Sequence, residues 1–314
     1  MTETPANHPS TVIAVVPTFS PDADVLDRLR SLAEQVDAVI VVDDGSPERA
    51  YAVLDLIEKA GFELIRSASN AGIAAALNAG TRLALAQGAQ FVLTVDQDTL
   101  LPAGYVDDCL HAFSLARPET KVGVVCSDRI NGQPSIPGSY TPEGLGVVRE
   151  AIQSGFLIRR ECLEQCGLFD ARLFIDDVDT EFCLRIARYG WLTVVGPGTD
   201  ITHSLGEQAL LRPFGIQRYE GDAPARYQYH RPFRRYFITR NNIDLYLRYL
   251  RSSPRWVLSS VRREFDPTVT TIVSGPYRAR HLLAAAVGLL HGLARRRGPL
   301  SPGLAKALTP PPKG

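Results

Sequence analysis

The first regular feature of the chain is Thr11–Pro17 (TVIAVVP), an unbroken apolar, mostly β-branched run that stops at proline. Such a run predicts a strand buried on both faces. Pro21–Gln35 follows, with Val25, Leu26, Leu29, Leu32 and Ala33 at helical spacing. Asp37–Val42 (DAVIVV) predicts a second buried strand, broken by Asp43, Asp44 and Gly45. Pro47–Ala60 reads as the next helix, with proline in its first turn. Phe62–Ile65 is a short strand, and the Ala- and Leu-rich Ala71–Gln87 is a helix. Gln90–Val95 (QFVLTV) is another strand, broken by Asp96 and Asp98. Ala103–Ala116 reads as a helix and Lys121–Cys126 as a strand.

This βαβαβ alternation predicts an α/β fold, a doubly wound parallel sheet with right-handed crossovers. Ligands of such sheets bind beyond the carboxyl ends of the strands. Both acid clusters follow a strand directly, so both are expected to line one crevice. Further on, Asn131–Gly146 is rich in Gly, Pro and Ser and reads as a loop. Ile152–Arg159 returns to the sheet, Glu181–Tyr189 is helical, and Trp191–Val195 is a short strand. After Gly206 the chain turns arginine-rich and aromatic, with a helix over Phe233–Arg251. Leu282–Leu293 is an Ala/Leu helix between Arg278, Arg280 and Arg295–Arg297. The Pro-rich stretch 298–314 is expected to be a disordered tail, and residues 1–10 a flexible N-terminus.

Composition narrows the classes. Of 314 residues, 45% are hydrophobic and 22% charged, enough for a sizeable core. Formal net charge is zero, so no bulk field draws nucleic acid. Five cysteines, an odd number without paired spacing, argue against a disulfide framework and for buried small apolar residues. The polar Met1–Ser10 lacks the pattern of a signal peptide. The most apolar stretch, His281–Ala294, is shorter than the roughly 20 residues a membrane span requires. A cytoplasmic protein is therefore expected.

The candidate chemistry sits at the breaks in the pattern. Asp96-Gln97-Asp98 puts two carboxylates on one strand-end turn, where both can reach a hard divalent cation such as Mg²⁺ or Mn²⁺. Alone, such a pair also describes an ordinary loop. Asp43-Asp44-Gly45-Ser46 could accept from a base imide or a ribose hydroxyl, or simply cap a turn. Gly72, between Asn70 and Asn78, opens a helix whose N-terminus attracts phosphate. Asp176, Asp177, Asp179 and Glu181 crowd four carboxylates into six residues. A macrodipole accounts for one or two of these more readily than for four, and one of them could take a proton from an acceptor hydroxyl. His203 could complete a metal site begun by Asp98. His230–Asn242 (HRPFRRYFITRNN) mixes Arg with aromatics, which fits a diphosphate clamp, an RNA-binding surface or an exposed helix face.

Taken in order, these motifs resemble the family 2 glycosyltransferases of the GT-A fold, and within them the bacterial rhamnosyltransferases of O-antigen and cell-wall polysaccharide assembly. The carrying segments are VVDDGS (41–46), NAGIAAALNAG (70–80), VDQD (95–98), SGFLI (154–158), LFIDDVDTEFCLR (173–185), HSLG (203–206) and HRPFRRYFITRN (230–241). The resemblance implies a GT-A domain over 11–245, a helical and membrane-associated extension over 246–297, and inversion by single displacement. It implies donor contacts from Thr18, Asp43, Asp44, Arg66, Asn70, Gly72, Asn78, Asp96, Arg235 and Arg240, and metal ligation by Asp96, Asp98 and His203. Acceptor contacts would come from Ser154, Gly155 and Glu181. Counting back from Cys183-Leu184-Arg185 makes Asp179 the general base, whereas counting forward from Asp176 picks Asp177. Val178 departs from the family pattern, where Glu is frequent. The implied partners are dTDP-rhamnose and a saccharide or polyprenyl-diphosphate-linked acceptor, with contact to the inner membrane face and none to nucleic acid. A UDP- or GDP-sugar, as in galactofuranosyl transfer, is the alternative donor class. A nicotinamide oxidoreductase would show G-x-G-x-x-G after the first strand, where this chain has Pro17-Thr18-Phe19-Ser20-Pro21.

Overall fold

The apolar runs become the centre of one sheet. The computed structural model describes residues 10–203 and 206–310. Its main sheet has ten strands: β1 Val12–Thr18, β2 Ala38–Asp43, β3 Glu63–Arg66, β4 Phe91–Thr94, β5 Val122–Ile130, β6 Gln133–Pro134, β7 Ser139–Tyr140, β8 Gly146–Val148, β9 Phe156–Arg159 and β10 Leu192–Ile201. They lie in the order β3-β2-β1-β4-β9-β5-β10-β8-β7, with β6 paired to β5. Strands β3, β2, β1 and β4 run parallel. Strand β9 inserts antiparallel between β4 and β5, and β10 runs parallel to β5. The sheet is thus mixed but mostly parallel. The Gly- and Pro-rich stretch expected to be a plain loop carries three short strands, β6 to β8, on the antiparallel side of the sheet.

Two compact units divide the described residues. The first comprises 10–171 and 178–203, and the second 172–177 and 206–310. In the first unit, α1 (Val25–Ala33), α2 (Tyr51–Lys59), α3 (Ile73–Ala86) and α4 (Tyr105–Leu115) are the crossover helices expected from the periodicity. Each of β1, β2 and β4 is buried along almost its whole length, as both-face-apolar strands require. Helix α3 approaches β1 closely because Gly80 faces it: a Cβ there would fall 2.4 Å from Val15 Cγ1. Helices α5 (Arg160–Cys166) and α6 (Val178–Arg188) complete this unit. All five cysteines are buried and free.

The second unit begins well before residue 246, where the extension was expected to start. It holds two small hairpins, β11 (Gln208–Leu210) with β14 (Arg226–Gln228), and β12 (Tyr219–Glu220) with β13 (Ala223–Pro224). Four helices follow: α7 (Pro232–Tyr249), α8 (Pro254–Ser274), α9 (Arg278–Leu293) and α10 (Pro302–Leu308). Helix α10 lies inside the stretch expected to be disordered. Buried Leu308 anchors it among Tyr236, Phe237 and Ala284, so apolar burial outweighs the local proline content. Helix α9 meets α7 through small residues: a Cβ on Gly288 or Gly292 would fall within 2.9 Å of α7 backbone. The segment 172–177 joins this unit because Phe174 stacks on Phe237 and Asn241 Nδ2 donates to the carbonyls of Leu173, Ile175 and Asp176. Residues 1–9, 204–205 and 311–314, which include the expected flexible N-terminus and part of the His203 motif, lie outside the described residues.

Candidate active site

The parallel register lines up the strand ends that sequence singled out. Thr18 pairs with Asp43, and Asp43 with Arg66, across β1, β2 and β3. Thr18 and Asp43 are both buried. The Asp43 carboxylate accepts from the Ser46 amide at 3.1 Å, which fixes the turn after β2. Arg66 does not point an unengaged guanidinium at a ligand, since it pairs with Asp55 at 2.7 Å and Glu58 at 2.6 Å.

Asp44 has a local role. Its two carboxylate oxygens accept from the amides of Ala71 at 2.8 Å and Gly72 at 2.9 Å. The Asp44 carboxylate therefore occupies two amides at the start of α3, where the sequence suggested a phosphate. Burial raises the Asp44 pKa, and the two amide bonds oppose that shift. Gly45 is required here, because it has φ +70° and a Cβ would fall 2.4 Å from the Ser69 carbonyl carbon. Asn78 is likewise committed internally. It exchanges two hydrogen bonds with the Phe169 peptide, at 2.8 and 2.9 Å. Asn70 is exposed.

One step along the sheet, Asp96, Asp98 and His203 come together. Each offers one ligand atom, and these atoms lie within 4.8 Å of one another. The chain reaches this arrangement through two turns. Val95 N donates to Val15 O, which carries β4 to the end of β1, and Thr99 N donates to Asp96 O. Leu100 and Thr202 then exchange backbone hydrogen bonds at 2.9 and 3.1 Å, delivering His203 to the turn. His203 Nδ1 is 2.8 Å from Thr99 Oγ1 and 3.5 Å from Asp98 Oδ1. Two carboxylates and one imidazole suit a hard divalent ion, and the partial exposure of all three leaves room for further oxygen ligands.

A supporting shell, none of it identifiable as such from the motifs, holds this triad. Asn131 exchanges two hydrogen bonds with the His203 peptide, Nδ2 to O at 2.8 Å and His203 N to Oδ1 at 3.0 Å. Gln153 Nε2 donates to Asp96 Oδ1. Ser154, expected at the acceptor, is buried instead, accepting from Asp96 N and donating to Thr99 Oγ1. Gly155 is similarly internal, with its carbonyl accepting from Tyr105 Oη at 2.7 Å. Gln97, between the two aspartates, accepts from Phe19 N and so ties the turn to the end of β1.

The acid cluster is split between the units. Asp179 and Glu181 begin α6 in the first, whereas Asp176 and Asp177 belong to the second. Glu181, expected to touch the acceptor, is buried and paired with Arg185 at 3.1 Å. Asp176 accepts from Arg234 Nε at 2.9 Å, and burial raises its pKa. Arg240, expected on the donor diphosphate, is buried in the second unit, donating to the carbonyls of Leu173 and Gly298. Arg235 lies in the same unit, with Nη1 3.3 Å from Thr268 Oγ1.

The profile of glycosyl transferase family 2 matches residues 13–137. The dTDP-rhamnosyl transferase RfbF of Shigella flexneri is 30% identical over 89% of this chain and 96% of its own length. Among solved structures, a mannosyltransferase of Pyrobaculum calidifontis, in complex with GDP-Man and Mn²⁺, superposes with a TM-score of 0.52. At 17% identity, over 96% of this chain and 85% of that one, the likeness concerns the fold.

Proposed function

The chain belongs to glycosyl transferase family 2, and from that premise we propose that it moves L-rhamnose from dTDP-rhamnose to a saccharide or polyprenyl-linked acceptor with inversion. That it is a glycosyltransferase follows from the family; the donor sugar is the proposed part. The observation that carries the reading is the Asp96, Asp98 and His203 triad at the carboxyl end of β4, one strand from Thr18 and two from Asp43. The full-length similarity to a dTDP-rhamnosyl transferase supports the thymidine nucleotide and the 6-deoxyhexose.

Each residue then has a task. Asp43 and Thr18 receive the nucleoside, because they terminate adjacent strands where the sheet opens. Asp96, Asp98 and His203 would hold Mg²⁺ or Mn²⁺, which would supply positive charge to a diphosphate leaving group. Asp179 takes the proton from the acceptor hydroxyl. It is the acid of the cluster that counting back from Cys183-Leu184-Arg185 selects. Asp179 also belongs to the unit that carries the triad.

Attachment to the inner membrane face is part of the same proposal. Helix α9 turns its small residues inward and exposes Leu282, Leu283, Leu289, Leu290 and Leu293. Arg278 precedes this stripe, and Arg295 and Arg296 follow it. An apolar stripe with cations at both ends complements an anionic phospholipid surface. No helix among the described residues is long and apolar enough to cross a membrane. Co-sedimentation with anionic vesicles should be lost in Leu289→Gln/Leu290→Gln/Leu293→Gln; unchanged binding removes the membrane from the account.

Calorimetric titration with dTDP, UDP and GDP, each with and without Mg²⁺ or Mn²⁺, tests the donor. Metal-dependent binding selective for dTDP is expected. Selectivity for UDP or GDP would replace the donor, and metal-independent binding would remove the triad from it.

A further inference from the structure

Helix α8 spends one face on its own unit and leaves the opposite face bare. Trp256, Val257, Ser260 and Thr271 are buried, and the Trp256 ring meets those of Tyr246 and Tyr249 from α7. On the other side, Leu258, Val261, Phe265 and Val269 are 74%, 45%, 65% and 41% exposed. Their steps of three and four residues put them in one stripe along the helix. Pro267 lies about 200° around the helix from Phe265, so it stays off the stripe. Single apolar residues are normal on a protein surface, whereas a row of four large ones marks a surface that meets a partner.

Charge selects the partner. Arg255, Arg262 and Asp266 are exposed, and the same periodicity runs them along one border of the stripe. The border is basic toward the N-terminus of α8 and acidic toward its C-terminus. An anionic lipid surface would repel Asp266, which directly follows Phe265 in the stripe. The α9 stripe differs, because arginines alone stand at its ends.

A second copy of α8, running in the opposite direction, fits both features. Under a two-fold axis across the helix pair, the same border of each helix meets, one turned end for end against the other. An axis between Arg263 and Glu264 falls close to the middle of α8, which has 21 residues and a length of about 31 Å. Each Leu258 then comes level with Val269 of the second copy, each Val261 within one residue of its Phe265, and each Arg262 within one residue of its Asp266. One axis thus pairs apolar with apolar and basic with acidic. A contact between identical patches requires that self-complementarity, and a foreign partner does not. We propose that α8 is a dimer contact, its exposed stripe packing antiparallel on that of a second copy of this chain.

Sedimentation velocity of the full chain over about 1–100 µM tests this, the range suited to the small area of one helix pair. A monomer–dimer equilibrium is expected. Phe265→Asp should raise its dissociation constant at least about tenfold, through the lost burial of one aromatic side chain. Arg262→Asp and Asp266→Arg should each weaken association, since each sets like charges across the axis. The double variant Arg262→Asp/Asp266→Arg should recover the parent association, because reversing both restores opposite signs. Far-UV circular dichroism of every variant should match the parent, as all these side chains are exposed. A chain that stays monomeric throughout, a dimer undiminished in Phe265→Asp, or a double variant no better than the single ones overturns the proposal. So does co-sedimentation with anionic vesicles that Phe265→Asp abolishes, which would give the stripe to the membrane.

Discussion

Asn131 is the sharpest probe of how the metal triad is built. His203 follows a strand end, and the Leu100–Thr202 bridge holds the residue before it. Asn131 fixes the His203 peptide through two hydrogen bonds of 2.8 and 3.0 Å. At about 1 kcal/mol net for each bond, deleting the side chain removes about 2 kcal/mol of positioning. That corresponds to about 30-fold in metal affinity, within the range of about 10- to 100-fold seen when a supporting partner of a metal ligand is removed. The substitution must be Asn131→Gly. Asn131 has φ +52°, so alanine would add strain to the loss of the bonds, whereas glycine accepts that conformation. Titrating Mn²⁺ into the protein at saturating dTDP, followed by calorimetry, reads the effect directly. The apparent Mn²⁺ affinity should fall about 10- to 100-fold, and the metal-free chain should lose the same stability of about 2 kcal/mol in urea unfolding. An unchanged Mn²⁺ affinity would refute the reasoning, either because His203 is not a ligand or because its peptide needs no clamp.

Asp179→Asn should lower turnover by about 10²- to 10⁴-fold, the usual worth of a general base, and leave dTDP binding intact by calorimetry. Normal turnover would move the base elsewhere in the cluster. Gly80→Ala should destabilise the first unit by about 1–3 kcal/mol in urea unfolding, because the added methyl meets Val15 Cγ1 at 2.4 Å and Val42 Cγ2 at 3.0 Å. Buried His281 has its pKa lowered to about 4 by burial and by Arg235. The folded chain therefore resists a proton that the unfolded chain takes up near pH 6.5. Stability from this residue is present above pH 6.5 and is lost as pH falls toward 4. His281→Phe should flatten that part of a stability-against-pH curve; an identical slope in both proteins would contradict the assignment.

How much of this was legible in the sequence depended on the range of the interaction. Strands β1, β2 and β4 are read correctly because burial on both faces writes itself as an unbroken apolar run. Asp96 and Asp98 are found because a strand-end break into two acids is local. The antiparallel place of β9 between β4 and β5 is not legible, since nothing in Phe156–Arg159 records its neighbours. Helix α8 falls within the helical extension expected over 246–297, but its bounds are not legible because Pro267 and the Arg262-Arg263 pair interrupt its pattern. Side-chain partnerships were the weakest point. Asp44, Asn78, Ser154, Glu181 and Arg240 were all assigned to ligands, yet each is buried and bonded to its own chain. A polar residue inside a motif looks alike from the sequence whether it faces a ligand or holds the loop that does. Asn131, Thr99 and Gln153 illustrate the converse, because their importance lies in contacts 57 to 104 residues away.

The central claim is metal-dependent, inverting transfer from dTDP-rhamnose. The most direct test is proton NMR of the full chain with dTDP-β-L-rhamnose, Mg²⁺ and a panel of methyl glycosides as acceptors. The account predicts Mg²⁺-dependent release of dTDP with formation of an α-linked rhamnoside, and loss of both in Asp98→Asn. Transfer that proceeds equally without a divalent ion, or a product that keeps the donor's β configuration, would contradict it.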